Sequence, residues 1–328
     1  MQKEAKEMRM KHDEIRSRIR GNIVPVPAQY HDDLSLNLPA MEDHLHFLVE
    51  NGSRCFYLAM SASEFEYMTR EERVAVTRCA AGALPGDCVL MAQAVGGHWI
   101  DEQILEAKMM MDAGAQAIVV APRSLKEGGK FFSSKYQRGS YSPERHNSYF
   151  IKYMERFAEE TNAPIVYHDK PFANGLGPSM DMLRRILGMD NVVALKEHVT
   201  EPNVLRKVYR EFGDKVVCFD GFGKTLQFWS LLWGAKARHT CWSWFDPQTD
   251  NRFMECMSRG DLKEAAQIVN DEGPISEAIG QTGFQGYKHI MKLMGLPSGP
   301  VRIPGEEISD LQKEMIRDAV VRVGLLKG

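Results

Sequence analysis

The sequence predicts an α/β fold, a (β/α)8 TIM barrel with a C-terminal helical extension. Three observations carry that reading. Eight apolar, β-forming runs alternate with stretches of helical spacing over roughly 230 residues, which suits a closed barrel better than a doubly wound sheet. No G-x-G-x-x-G follows the first run, so a dinucleotide-binding sheet lacks its fingerprint. The remainder of the chain, about 251–328, is helical by pattern.

Residues 1–20 read as a charged helical extension that ends where Gly21 breaks the pattern. The barrel is expected over 21–250, with strands at about 23–29, 55–60, 89–95, 117–122, 164–169, 192–198, 215–221 and 236–243. Helices between them are expected at 37–50, 69–83, 101–113, 149–161, 179–187, 202–212 and 225–233. In the C-terminal region, 251–328, helical spacing recurs at 251–258, 261–271, 275–278 and onward, 287–294 and 309–323. Gly295-Leu296-Pro297-Ser298-Gly299-Pro300 is a loop between the last two. The connection between Pro122 and Ser148 is long and follows the fourth strand, at the end of a barrel where chemistry is built. Its basic and aromatic residues suit closure over an anionic substrate; a solvated or subunit-contacting loop is the competing reading.

Composition limits the function classes. The apolar fraction of 44% and charged fraction of 26% are those of a soluble globular protein. A net charge of -3 gives no electrostatic case for nucleic acid or an anionic membrane. The six cysteines show no C-x-x-C pair, and Cys55, Cys88, Cys218 and Cys241 sit in or beside apolar runs. They read as reduced core residues, which places the chain in the cytoplasm. The first twenty residues carry seven Lys/Arg and four Asp/Glu with no apolar h-region, so they are not an ordinary signal peptide. No run is long enough for a membrane span.

The chemistry is expected at three strand ends: Met60-Ser61-Ala62-Ser63-Glu64, Tyr167 and Lys196. Lys196 closes the run Val192-Val193-Ala194-Leu195, where an ammonium is costly to bury. Such a lysine is either paired or has its pKa lowered so that it acts as a nucleophile. An amine attacks a carbonyl only when neutral, so its pKa must fall from about 10 toward roughly 7–8. Tyr167 ends the preceding strand, and a phenol both donates and accepts protons. Together they point to an imine-forming enzyme.

In order and spacing these segments resemble the dihydrodipicolinate synthase / N-acetylneuraminate lyase family of pyruvate-type aldolases. The likeness runs from Gly21 to the C-terminal helices and includes Met68-Thr69-Arg70-Glu71-Glu72-Arg73 and Gly286-Tyr287-Lys288 through Gly295-Leu296-Pro297. It implies that Lys196 forms a Schiff base with a 2-oxo acid and that Tyr167 relays protons. It also implies that Ser61, with Ala62 and Ser63, holds the substrate carboxylate. The family's Gly-Thr-Thr-Gly-Glu segment has become Met60-Ser61-Ala62-Ser63-Glu64, losing one hydroxyl and both glycines. The synthase's second tyrosine, expected near Arg123-Ser124, is missing, with Tyr136 or Tyr141 as candidate substitutes. The arginine that follows the catalytic tyrosine is replaced by His168-Asp169-Lys170-Pro171-Phe172. These departures argue against dihydrodipicolinate synthase activity itself.

His168, His198 and His239 each lie at a predicted strand end. As a metal set they lack an acidic partner at ligand spacing. They read either as substrate contacts or auxiliary bases, His239 first, or as packed histidines. Either Trp242 or Trp244 is a candidate for lining the pocket. Gly221-Phe222-Gly223-Lys224-Thr225 resembles part of a P-loop, but the pattern requires glycine where Cys218 stands. The resulting expectation is a lyase without metal or cofactor, acting on pyruvate or a sugar-derived 2-oxo acid and assembled as a homo-oligomer, dimer or tetramer. Aldolase chemistry is preferred. A sugar-acid dehydratase of the same superfamily, or a homologue that binds a ligand without catalysis, is the alternative.

Overall fold

The computed structural model describes residues 2–96, 99–121, 143–169, 179–303 and 307–326. Eight strands close a parallel barrel in sequence order. They are β1 (Gly21–Pro25), β2 (Cys55–Leu58), β3 (Val89–Gln93), β4 (Ala117–Val120), β5 (Ile165–His168), β6 (Val192–Glu197), β7 (Val217–Asp220) and β8 (Ala237–His239). The helices of the barrel part are α1 (Gln2–Arg18), α2 (Leu38–Glu50), α3 (Arg70–Ala83), α4 (Ile100–Asp112), α5 (Pro143–Thr161), α6 (Met180–Ile186), α7 (Pro202–Phe212) and α8 (Lys224–Leu232). The C-terminal set is α9 (Pro247–Arg259), α10 (Leu262–Asp271), α11 (Gly273–Leu293) and α12 (Asp310–Arg322). The (β/α)8 barrel and its C-terminal helices are therefore as the sequence predicts.

Three elements differ from expectation. The eighth strand stops at His239, and Trp242–Trp244 form a 3-10 turn. The Thr240 and Ser243 hydroxyls both donate to the buried Asp250 carboxylate, at 2.8 and 2.5 Å, which coils the chain away from the sheet. Helix α5 begins at Pro143 rather than 149; proline suits a first helical turn, where its missing N–H costs nothing. Helix α11 joins two expected helices through a kink at Gly283, whose φ of 56° and ψ of -143° suit a residue without Cβ.

The chain forms two compact units, 1–20 with 91–238 and 21–90 with 239–328. In the first, α1 lies against β6, and Ile15 on it and Ile19 just beyond it are buried. Arg16 Nη1 donates to Lys215 O at 3.0 Å, and His12 Nε2 meets Asn162 O at 3.4 Å. The last turns of this helix are thus anchored on their own chain. In the second unit, α11 and α12 pack together, and Thr69 opens α3 through a capping box with Glu72. Cys55, Cys88, Cys218 and Cys256 are buried, as packed thiols are; Cys241, expected among them, is half-buried.

Candidate active site

In the first unit all six residues of β6 are buried. Glu197 points to the helix layer: Tyr209 Oη of α7 donates to its Oε1 at 3.2 Å, and Val199 N to its Oε2 at 2.7 Å. Alternation along a strand sends the neighbouring Lys196, 5% exposed, to the opposite, inner face of the sheet. The register of β5 on β6 then orders the candidate residues. His168 pairs with Lys196 and Tyr167 pairs with Leu195.

Partners in register share a face, so Tyr167 lies on the side of Leu195 and Glu197. Its hydroxyl reaches Asp169 Oδ1 at 3.4 Å. The cause is a register shift at Ile165/Val166: Ile165 pairs with Val192 but Val166 with Ala194, passing over Val193. Without that shift Tyr167 would pair with Ala194 and share the face of Lys196. His168 is on the Lys196 side, its ring stacked on His198 with centroids 4.9 Å apart. His198 in turn meets the Phe222 ring at 5.2 Å. A Cβ at Gly221 would lie 2.3 Å from His198 Nε2, so glycine there lets the imidazole fit.

Behind Lys196, on the helix-facing side, lies a buried polar layer. Glu197 pairs with Asp220 and Asp220 with Arg238, and all three are buried. Arg238 Nη1 donates to Gln227 Oε1 at 2.8 Å, and Gln227 Nε2 donates to Phe222 O. The Asp220 Oδ1 accepts from Phe222 N, whereas its Oδ2 has no hydrogen-bond partner among the described residues. Burial raises the Asp220 carboxyl to about 6 against the opposing hydrogen bond from Phe222 N and the charges of Lys196 and Arg238. Burial, then the charge of Asp220, pushes Glu197 well above the usual carboxylate range. Burial and the Asp169 carboxylate likewise push the Tyr167 phenol well above its ordinary value. The sequence showed none of this layer as such; only Gly221-Phe222-Gly223-Lys224-Thr225, the segment that follows Asp220, stood out, for its likeness to part of a P-loop.

In the second unit the 60–64 segment is a tight turn. Ser63 Oγ accepts from Ala59 N at 2.9 Å and lies 3.4 Å from Tyr57 O, so this hydroxyl closes the turn. Ser61 is exposed and Ala62 is buried. Glu64, with a left-handed φ of 53°, is 1% exposed and anchors the C-terminal segment. Its Oε2 accepts from Arg302 N at 2.6 Å and Ile303 N at 3.1 Å, and its Oε1 from Lys288 Nζ at 3.3 Å. His239 sets its ring against the edge of buried Tyr57, centroids 5.7 Å apart. Trp244 is wholly buried, its indole N–H donating to Pro25 O, which makes it a core residue. Trp242 is 7% exposed and packs on Phe245. Gly223 serves as N-cap of α8. Arg123, Ser124, Tyr136, Tyr141, Lys170, Pro171 and Phe172 lie outside the described residues. Among the described residues no cluster of three His, Cys, Asp or Glu side chains is arranged to hold a metal. Nor is any described helix long and apolar enough to cross a membrane.

A model of the dihydrodipicolinate synthetase family matches residues 18–322. The chain belongs to that family. As a family member it is an enzyme of the lyase class. It is 24% identical to an uncharacterized DapA-like lyase of Thermococcus onnurineus, covering 92% of this chain and 100% of that one. It is 22% identical to a probable 5-dehydro-4-deoxyglucarate dehydratase of Saccharopolyspora erythraea, covering 94% and 95%. Among solved structures, N-acetylneuraminate lyase from Fusobacterium nucleatum complexed with pyruvate superposes with a TM-score of 0.80 at 19% identity, over 94% of this chain and 98% of that one. This dihydrodipicolinate synthetase family member thus keeps the barrel at low identity, while its strand ends carry their own side chains.

Proposed function

We propose that this family member is a Schiff-base lyase acting on a 2-oxo acid, pyruvate or a sugar-derived one, with Lys196 as the nucleophile. The observation that supports this is a lysine 5% exposed at the end of β6, on the face opposite the helix layer. Its amine adds to the ketone carbon, water leaves, and the cationic imine withdraws electrons from the neighbouring bonds. Aldolase-type cleavage or condensation of a C–C bond is the first reading. Loss of water from a sugar acid is the second, favoured by the likeness to the dehydratase of S. erythraea.

The substrate carboxylate is assigned to Ser61 and the backbone of Ala62, because the Ser63 hydroxyl and the Glu64 carboxylate are already engaged within the turn. His239 is retained as a substrate contact, half-buried beside Tyr57. The proton relay falls to the end of β5, where the family likeness names Tyr167. No cofactor is needed for this chemistry, and the reading places the enzyme in the cytoplasm as a homo-oligomer.

Borohydride reduction in the presence of pyruvate or a panel of sugar 2-oxo acids tests the proposal. A mass increase confined to Lys196, absent in Lys196→Ala, is the expected result. If no acid of the panel leaves an adduct, the protein is a ligand-binding homologue instead.

A further inference from the structure

We infer that residues 297–303 form a strap that sets the shape of the 60–64 turn for the substrate carboxylate, with Arg302 as the positioning residue that anchors it. The inference rests on the reading that this turn holds the carboxylate, and it adds the groups that hold the turn. Three sets of contacts carry it. The strap is tied to the loop after β1, where Gln29 Nε2 donates to Pro297 O and Gly299 N donates to Gln29 Oε1, both at 3.1 Å. Further along, the Arg302 guanidinium is a hub. Its Nη1 and Nη2 each reach Glu72 at 2.7 Å, its Nε and Nη2 donate to Leu34 O at 2.9 and 2.7 Å, and Nη1 donates to Tyr67 O at 3.2 Å. The guanidinium also lies over the Tyr30 ring, 4.5 Å from its centroid. One side chain thus joins segments that flank the turn in sequence, with the forked geometry that only an arginine supplies. Finally, the backbone so anchored enters the turn: the N–H groups of Arg302 and Ile303 donate to Glu64 Oε2 at 2.6 and 3.1 Å.

Glu64 carries the effect to the turn. Its φ of 53° and ψ of 26° are left-handed, a conformation that a residue with a Cβ keeps only where its surroundings hold it. Glu64 N donates to Ser61 O at 3.0 Å, so the conformation of residue 64 fixes the peptide planes of 61–63, the Ala62 N–H included. Lys288 and Arg302 set two cations against the carboxylates of Glu64 and Glu72. With these charges balanced, the strap acts on a substrate carboxylate through the shape of the turn rather than through its field. Without the guanidinium anchor the strap lifts, Glu64 loses its two backbone donors, and the turn relaxes away from the carboxylate. The Lys196 amine keeps its own surroundings. The loss therefore falls on half-saturation and not on the maximal rate.

The test is the rate of borohydride-trapped adduct on Lys196 against concentration, for the 2-oxo acid that leaves the adduct and for its carboxamide, pyruvate and pyruvamide in the first instance. The two share one ketone and differ in the charge that the turn would hold. Wild type should half-saturate with the acid at a concentration at least about tenfold below that of the amide. Arg302→Met should raise the half-saturating acid concentration about tenfold, with the maximal rate and the amide within about threefold of wild type, so that the preference collapses. Arg302→Lys, which keeps the charge without the fork, should retain part of the preference. An unchanged acid-to-amide preference in Arg302→Met, or an equal loss for both ligands, would overturn the inference while leaving the carboxylate turn in place. If Arg302→Met does not fold, Arg302→Lys decides: a reduced preference supports the strap and an unchanged one overturns it. A wild type that does not distinguish acid from amide removes the carboxylate reading of the turn, and this inference with it, but not the adduct on Lys196.

Discussion

A single strand-end lysine can be recognised from sequence because an ammonium after four apolar β-formers needs a reason, and Lys196 is buried where that pattern puts it. The face of its neighbour cannot be read in the same way. Period-two alternation sorts side chains only while the register is regular, and the shift at Ile165/Val166 exchanges the faces of Tyr167 and His168 relative to β6. The acids behind the lysine were equally hidden, since their cost comes from burial that only the fold creates. Asp220 makes this cost measurable. Its carboxyl ionises near 3.8 in an unfolded chain and near 6 in the folded one, so between those values the folded state holds more protons. Stability therefore falls as pH rises through that window and levels off above it, by about 3 kcal/mol for a shift of this size. Burial raises Glu197 in the same direction. Urea unfolding at pH 4 and pH 7 should show a smaller loss in Asp220→Asn than in wild type, by about 2–3 kcal/mol. Equal losses in the two proteins would mean that Asp220 carries no such cost.

Among the elements, the legible ones announce themselves locally. Thr69 and Glu72 form the capping box that their spacing implies, and Glu72 also takes both terminal nitrogens of Arg302 at 2.7 Å. The join between the 60–64 turn and the C-terminal segment was not legible, because its partners are more than 200 residues apart. Lys288 Nζ donates to Pro300 O at 2.7 Å and to Glu64 at 3.3 Å, with the two side chains 5% and 1% exposed. It also lies over the Tyr30 ring at 5.2 Å. Burial draws the Lys288 ammonium below its ordinary value, and Glu64 opposes that. A buried pair of this kind is costly to break from one side, because one charge is left without its partner. Lys288→Met should cost about 3–5 kcal/mol in urea unfolding. Adding Glu64→Gln should then cost less than the sum of the two single changes by at least about 1 kcal/mol, since no charge remains stranded. Strict additivity in that double-mutant cycle would show that the two groups do not support one another.

At the level of the whole chain, the alternation of short apolar runs with helical stretches was enough to read a closed barrel, because eight β/α repeats leave few other architectures. The two compact units were not readable, since each gathers separate stretches of the chain through side chains distant in sequence. Assembly is the remaining property at this scale. The family likeness implies dimers or tetramers, and a net charge of -3 gives little repulsion between copies. Near the end of α1, Ile15 and the following Ile19 are buried within the chain. Large apolar side chains do remain on the surface: Trp99 at the start of α4, Trp229 and Leu232 on α8, and Leu311 on α12, with exposures of 73%, 49%, 42% and 76%. Isolated exposed residues of this kind are ordinary, but Trp229 lies with its ring 6.0 Å from Trp233 on one helix, a surface that a second copy would remove from water. Light scattering at micromolar protein should therefore return two or four times the chain mass, stable to tenfold dilution. A single chain mass at that concentration would contradict the assembly that the family likeness implies, while leaving the chemistry at Lys196 to be judged by its own adduct.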